Sequence, residues 1–362
     1  MIGRAPRVSE ALANPHNNFG LLRLVMAVAV VISHAFSVTD GRIEQEPWFA
    51  TTGFTLGEHA VNGFFAISGF LVTMSFLRRG WRDYVLARVL RIAPGLIAAV
   101  RVVALVLGGL MTSLVRSAYF SDPRLWRFIT ATLTTFKSAA ALPGVFENNP
   151  LQFPMGTVWT LKYETLCYIG VLVAGVLGLL ARPRLALAAL VALALGVVMR
   201  EELTPLGPKS TETALRLPLI FLAGGVIYLY RERVTLSLPL LALALLALVP
   251  LSFTPLYKAA LYLVTSWGLL VLALAPALTR RSREPPADLS YGVYLYGWPA
   301  QQALHALFPS LGAVTLLWPS LAVTFIVAAL SWFLVEKPAL DLKRRLLQGS
   351  WPQRRIPRPG RS

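Results

Sequence analysis

Arg23 and His34 stand eleven residues apart in one apolar stretch near the N-terminus. Eleven residues make three helical turns, so on a helix both project from one face, about 16 Å apart along the axis. An ionisable residue within a membrane span is a functional hypothesis by default, because placing it there costs a few kcal/mol. Ala27 and Val30 lie between them on that face and leave space along it. Spacing alone leaves a structural alternative open, in which Arg23 snorkels to headgroups and His34 caps the helix end. A carboxylate enters with Trp159-Thr160-Leu161-Lys162-Tyr163-Glu164-Thr165-Leu166-Cys167-Tyr168. Glu164 lies several residues inside that segment, at a depth expected to be close to that of His34, and needs a partner; His34 and Lys162 are available. A histidine oriented by a carboxylate is a general base suited to neutral pH. A purely structural pairing of Glu164 with Lys162 or an arginine is the alternative.

Arg78, Arg79, Arg82, Arg88 and Arg91 crowd one connection that closes at Ile92-Ala93-Pro94. Arg88 and Arg91 are three apart and share a helical face, as a phosphate-binding pair would. Topology alone also enriches such connections in arginine. Asn62-Gly63-Phe64-Phe65-Ala66-Ile67-Ser68-Gly69-Phe70 carries small residues, Ser68 and Gly69, that let membrane helices approach closely. Other chemistries find no residues. One cysteine, Cys167, supports neither a disulfide nor a Cys-ligated zinc site. The four histidines form no HExxH motif, and there is no P-loop. No metal site is expected.

The elements that must hold these residues are membrane helices. The 362 residues are 56% hydrophobic and only 14% charged, against about 25% charged in soluble domains. Spans of about 20 apolar residues fall near residues 19–38, 60–78, 96–115, 157–181, 184–200, 214–231, 234–252, 258–279, 289–308 and 314–336. The chain reads as an all-α polytopic membrane protein of about ten helices, one transmembrane domain over 1–347, and a disordered basic Arg/Pro-rich tail over 348–362. The N-terminal stretch lacks a small-residue cleavage site and reads as a retained first helix. With the N-terminus cytoplasmic, 22 of the 34 Lys and Arg fall on the inner side and 8 on the outer, while Arg23, Arg101, Lys162 and Arg216 lie within spans. Both termini are therefore expected in the cytoplasm. Basic residues confined to short connections do not suggest nucleic acid. The longest connection, 116–156, contains a half-polar stretch from Trp126 to Leu142, expected to be an interfacial amphipathic helix or a re-entrant segment.

Six short patterns then occur in one order along the chain: Arg23 with His34; Phe64-Phe65-Ala66-Ile67-Ser68-Gly69; Arg88 to Pro94; Trp159 to Tyr168; Ser290-Tyr291-Gly292-Val293-Tyr294-Leu295; and Glu336-Lys337-Pro338. In this the chain resembles acyltransferase family 3, the bacterial inner-membrane carbohydrate O-acyltransferases, over nearly its whole length. It departs from many members at Gly297, where they carry a histidine.

The resemblance implies transfer of an acyl group, commonly acetyl, from acyl-CoA as co-substrate to a hydroxyl of an envelope or exported carbohydrate or glycolipid. No permanently bound cofactor is implied. His34 and Glu164 become the expected catalytic residues. Arg23, Arg88, Arg91, Ser290, Tyr291 and Tyr294 are expected to hold acyl-CoA on the cytoplasmic side. Phe64, Phe65, Ser68, Gly69, Trp159 and Tyr168 are expected to line the acceptor or active site. The rival expectation is a transporter or glycolipid flippase that uses the same intramembrane charges as a path.

Overall fold

A computed structural model describes residues 4–204, 206–280 and 285–348. The expected tail lies outside the described residues, apart from Gln348 at the end of the last helix. Among the described residues the fold is all-helical, with one isolated antiparallel bridge, Arg7 to Thr235. The helices that build the bundle are α1 (Phe19–Asp40), α2 (Leu56–Arg101), α3 (Pro123–Thr135), α4 (Trp159–Val176), α5 (Pro183–Leu203), α6 (Lys209–Leu229), α7 (Leu238–Leu251), α8 (Tyr257–Leu274), α9 (Ser290–Leu307), α10 (Ala313–Ser331) and α11 (Lys337–Gln348).

Among the described residues six helical runs are long and apolar enough to cross a membrane, which does not confirm the ten or so spans expected. The expected spans near 60–78 and 96–115 belong to a single run, Leu56–Met111. Its break is Gly80, at φ 78° and ψ 174°, a left-handed conformation that glycine adopts without strain. α7 has 14 residues and so reaches about 21 Å, short of an apolar core about 30 Å thick. α4 and α9 fall below the hydropathy of a span because they carry Lys162, Glu164, Gln301, Gln302 and His305. Both helices nevertheless carry expected site residues, Trp159, Glu164 and Tyr168 on α4 and Ser290, Tyr291 and Tyr294 on α9.

The outward face of α5 carries exposed Leu185, Leu187, Val191, Leu195 and Met199. A stripe of that size on a soluble surface would aggregate; on this chain it is a lipid face. α3 buries Leu125, Phe128 and Thr132 on one side and exposes Trp126 on the other, so the connection does hold an amphipathic helix.

Local hydrogen bonds fix where the chemistry begins. Asn18 precedes α1 and ties to α8 twice, its N–H donating to Ala273 O at 2.9 Å and its side-chain amide to Leu272 O at 3.0 Å. Glu46, 1% exposed, accepts from the N–H groups of Trp48, Phe49 and Leu56, which joins the loop after α1 to the start of α2. Thr55 and Glu58 then form a reciprocal capping box on α2.

Candidate active site

Two adjoining cavities among the described residues hold most of the expected site residues. The first, about 290 Å³, is lined by Arg23 of α1, Phe64, Phe65, Ser68, Arg88 and Arg91 of α2, Glu164 and Tyr168 of α4, and Ser290, Tyr291 and Tyr294 of α9. Asp288, just before α9, organises its charge. It accepts from Arg91 at 2.8 Å and Arg23 at 3.0 Å, and its other oxygen takes the Ser290 hydroxyl at 2.6 Å. Two guanidiniums therefore share one carboxylate. Arg88 sits with its guanidinium 5.5 Å from the Tyr168 ring centroid, and its buried Nε has no hydrogen-bond partner. Tyr168 donates its hydroxyl to Glu164, one turn earlier. Tyr291 donates to Ile92 O at 2.9 Å, pinning α9 to the second half of α2.

The second cavity, about 390 Å³, is lined by Ser33, His34 and Ser37 near the end of α1, Thr55, Glu58 and Val61 at the start of α2, Trp159 and Tyr163 of α4, and Lys209, Thr213 and Arg216 of α6. His34 is half-buried, its Nδ1 lacks a hydrogen-bond partner, and its ring meets the edge of Trp298 with centroids 4.9 Å apart at 87°. Trp298 is itself fixed, stacked on Phe153 at 5.2 Å and donating Nε1–H to Phe153 O at 2.8 Å.

Val61, Thr160 and Tyr294 line both cavities. The Tyr294 hydroxyl lies 2.8 Å from Thr157 O and 2.5 Å from Thr160 Oγ1. The cavities thus meet at a waist, with Arg23, Arg88 and Arg91 on one side and His34 on the other. A family model described as an acyltransferase domain matches residues 16–336 of this chain. The chain belongs to acyltransferase family 3. It is 30% identical to nodulation protein 10 of Rhizobium leguminosarum bv. viciae over 94% of this chain and 97% of that protein. It is 28% identical to an O-acetyl transferase of Shigella phage Sf6, over 89% of this chain and 95% of that protein. No solved structure matches.

In this acyltransferase the expected site residues divide between the cavities. Arg23, Arg88, Arg91, Ser290, Tyr291 and Tyr294 all line the first. Phe64, Phe65, Ser68, Tyr168 and Glu164 join them there, whereas the sequence put Glu164 close to the depth of His34. Of the expected acceptor residues only Trp159 lies in the His34 cavity. The expected His34–Glu164 pair is not made. Glu164 projects from the second turn of its helix into the arginine cavity and bonds Tyr168. Gly69 lines neither cavity; a Cβ there would stand 1.8 Å from Phe221 O of α6, so its role is close helix packing. A side chain at Gly297 would meet Val31 Cγ2 at 2.5 Å, so α1 occupies the space that a histidine there would need.

Sequence reading missed Asp288, Thr160, Trp298, Glu58 and Arg216. Arg216 carried a signal, being an ionisable residue inside a span with Glu212 one turn earlier. Asp288 stands two residues before the Ser290-Tyr291 pattern and outside any apolar segment, so nothing marked it.

The Asp288 bridge gives a measurable pH signature. Burial opposes its charge, but Arg91, then Arg23, and the bonds from Ser290 outweigh this and hold the carboxyl at about 2. That is below the unfolded value of about 3.9, so its stabilisation is complete above that value and is lost as pH falls toward 2. Asp288→Asn should lower stability at neutral pH by roughly 1–3 kcal/mol, between the limits for surface and buried pairs. Thermal melts in detergent should show wild type and variant converging as the pH approaches 2; a gap that persists unchanged there would remove the ion pair as its cause.

Proposed function

We propose that this acyltransferase moves an acyl group, acetyl in the first instance, from acyl-CoA to a hydroxyl of a carbohydrate or glycolipid acceptor. What carries the reading is the pair of cavities that meet at Val61, Thr160 and Tyr294, one cationic and one lined by His34. The anionic CoA ester suits the arginine side, and its pantetheine arm carries the thioester toward the waist. The acceptor hydroxyl oxygen attacks the thioester carbonyl while His34 takes the hydroxyl proton. A carbon–oxygen bond forms, the carbon–sulfur bond breaks, and the leaving thiolate takes up a proton. The products are the acylated acceptor and free CoA thiol. The relative named an O-acetyl transferase supports oxygen as the accepting atom. The excess of basic residues on one side of the spans supports an arrangement with both termini and the arginine cavity facing the cytoplasm of a bacterial inner membrane.

The decisive measurement is release of CoA thiol from acetyl-CoA by purified protein. Release that depends on an added glycoside supports transfer; no release, together with movement of a labelled glycolipid across vesicles, would replace the enzyme with a flippase. Donor binding gives a finer expectation. Arg23 and Arg91 already share Asp288, which leaves Arg88 as the arginine with a free buried N–H. Arg88→Ala should raise the KM for acetyl-CoA roughly tenfold or more, the effect of losing one charged hydrogen bond. The acceptor KM should change little. Equal rises in both would take Arg88 out of donor binding.

A further inference from the structure

The wall of the His34 cavity built by α2 and α6 carries Glu58, Lys209 and Arg216, with Glu212 beside Arg216, and no step above uses any of the four. Arg216 is 1% exposed and lies two turns inside α6. Its Nη1 stands 3.9 Å from Glu58 Oε1, too far for a hydrogen bond, and its Nε is 3.3 Å from Glu212 Oε1. Neither nitrogen has a hydrogen-bond partner among the described residues. Glu212 is held instead by the Tyr262 hydroxyl at 2.8 Å. Glu58 takes Lys209 at 2.8 Å on the same Oε1.

A buried guanidinium with unmade hydrogen bonds is costly, and a site that keeps one is shaped for something that completes it. A group that bridges Arg216 Nη1 and Glu58 Oε1 must accept from the first and donate to the second. A hydroxyl does both; a carboxylate does only the first and meets Glu58 as a like charge. The cluster is also balanced, Arg216 and Lys209 against Glu58 and Glu212, so it offers an anion no net attraction.

We propose that Glu58 and Arg216 form the acceptor-recognition wall of the His34 cavity and bind a hydroxyl of a neutral, polyhydroxylated acceptor. Trp159, on the α4 side of the same cavity, supplies an aromatic face for its ring. This rests on the reading of that cavity as the acceptor side. The hydroxyl held by the wall is not the one acylated; holding it sets which other hydroxyl reaches His34.

The probes are methyl glucoside, methyl galactoside and methyl rhamnoside, set against methyl glucuronide. Saturation-transfer NMR on the detergent-solubilised full chain reads binding, and CoA thiol release from acetyl-CoA reads turnover. At least one neutral glycoside should bind and be acylated, and the glucuronide should do neither. Glu58→Gln keeps the shape and an acceptor oxygen for the cap, but removes the charge. It should raise the KM for the neutral glycoside about tenfold or more, as a lost charge-assisted hydrogen bond does, with the acetyl-CoA KM unchanged. Preference for the glucuronide would overturn the proposal and make the wall an anion site. So would a Glu58→Gln protein that loses stability or kcat with the glycoside KM intact, which would make the cluster structural. Failure of both glycosides and glucuronide to bind would reject the wall outright. Binding of a neutral glycoside without thiol release from any acyl-CoA would leave the wall standing and sink the transferase chemistry. Should Glu58→Gln not fold, the wild-type comparison of neutral and anionic glycosides decides the class.

Discussion

His34→Ala is expected to abolish acyl transfer while leaving the protein folded. Removing a general base lowers the rate by about 100- to 10,000-fold. The fold should tolerate the change because His34 Nδ1 has no hydrogen-bond partner to strand. Its neighbour Trp298 keeps its stack on Phe153 and its bond to Phe153 O. CoA thiol release in the presence of a responsive glycoside measures the first effect, and a melting curve in detergent the second. A well-folded variant that retains more than about a tenth of wild-type turnover, beyond what losing a base allows, would reduce His34 to a wall residue. Glu164→Gln is the informative companion. Glu164 bonds Tyr168 in the arginine cavity and makes no contact with the imidazole, so its loss should register in acetyl-CoA use and should not reproduce the His34 profile.

Gly69→Ala should produce the largest structural effect of any single methyl group. The added Cβ would stand 1.8 Å from Phe221 O and 2.7 Å from its carbonyl carbon. Across the same crossing a Cβ at Gly224 would stand 2.1 Å from Ala66 O. Both obstacles are backbone, which cannot swing aside as a side chain would, so α2 and α6 must separate. Overpacking ordinarily costs about 1–3 kcal/mol. Here the upper end or more is expected, a fall in Tm of roughly 4 °C or more for a chain of this length. Gly170→Ala is the control, because nothing lies within 4 Å of a Cβ there. Equal melting temperatures for the two variants would mean that the α2–α6 crossing yields more easily than its geometry implies. Because α2 and α6 also carry Glu58 and Arg216, any separation should weaken the His34 cavity before the arginine one.

Helix positions were legible in the sequence because lipid demands long apolar runs, and that signal survives without knowledge of packing. At Gly80 two helices join across a kink, so the spans expected near 60–78 and 96–115 follow one another without an extended loop. Of the polar residues that lower the hydropathy of α4 and α9, Glu164 faces the arginine cavity, while Gln301 and Gln302 bond backbone carbonyls of neighbouring segments. The arginine cavity was legible because its motifs repeat a residue type, Arg, whose presence near a span needs explaining. The division of the site was not. Depth counted along separate helices carries an error of a turn, enough to put Glu164 beside His34 instead of on the far side of Tyr294. Contacts such as Asp288 with Arg23 and Arg91 join residues some 200 or more positions apart, and no local pattern encodes them.

The waist at Tyr294 is a partition as well as a meeting place. Two polar hollows, one on either side of it, have only Val61, Thr160 and Tyr294 in common. The bonds that hold the tyrosine hydroxyl to Thr157 and Thr160 keep the ring in its place between the hollows, so Tyr294 works as a hinge pin for the whole site: the two hollows can merge only if those bonds break.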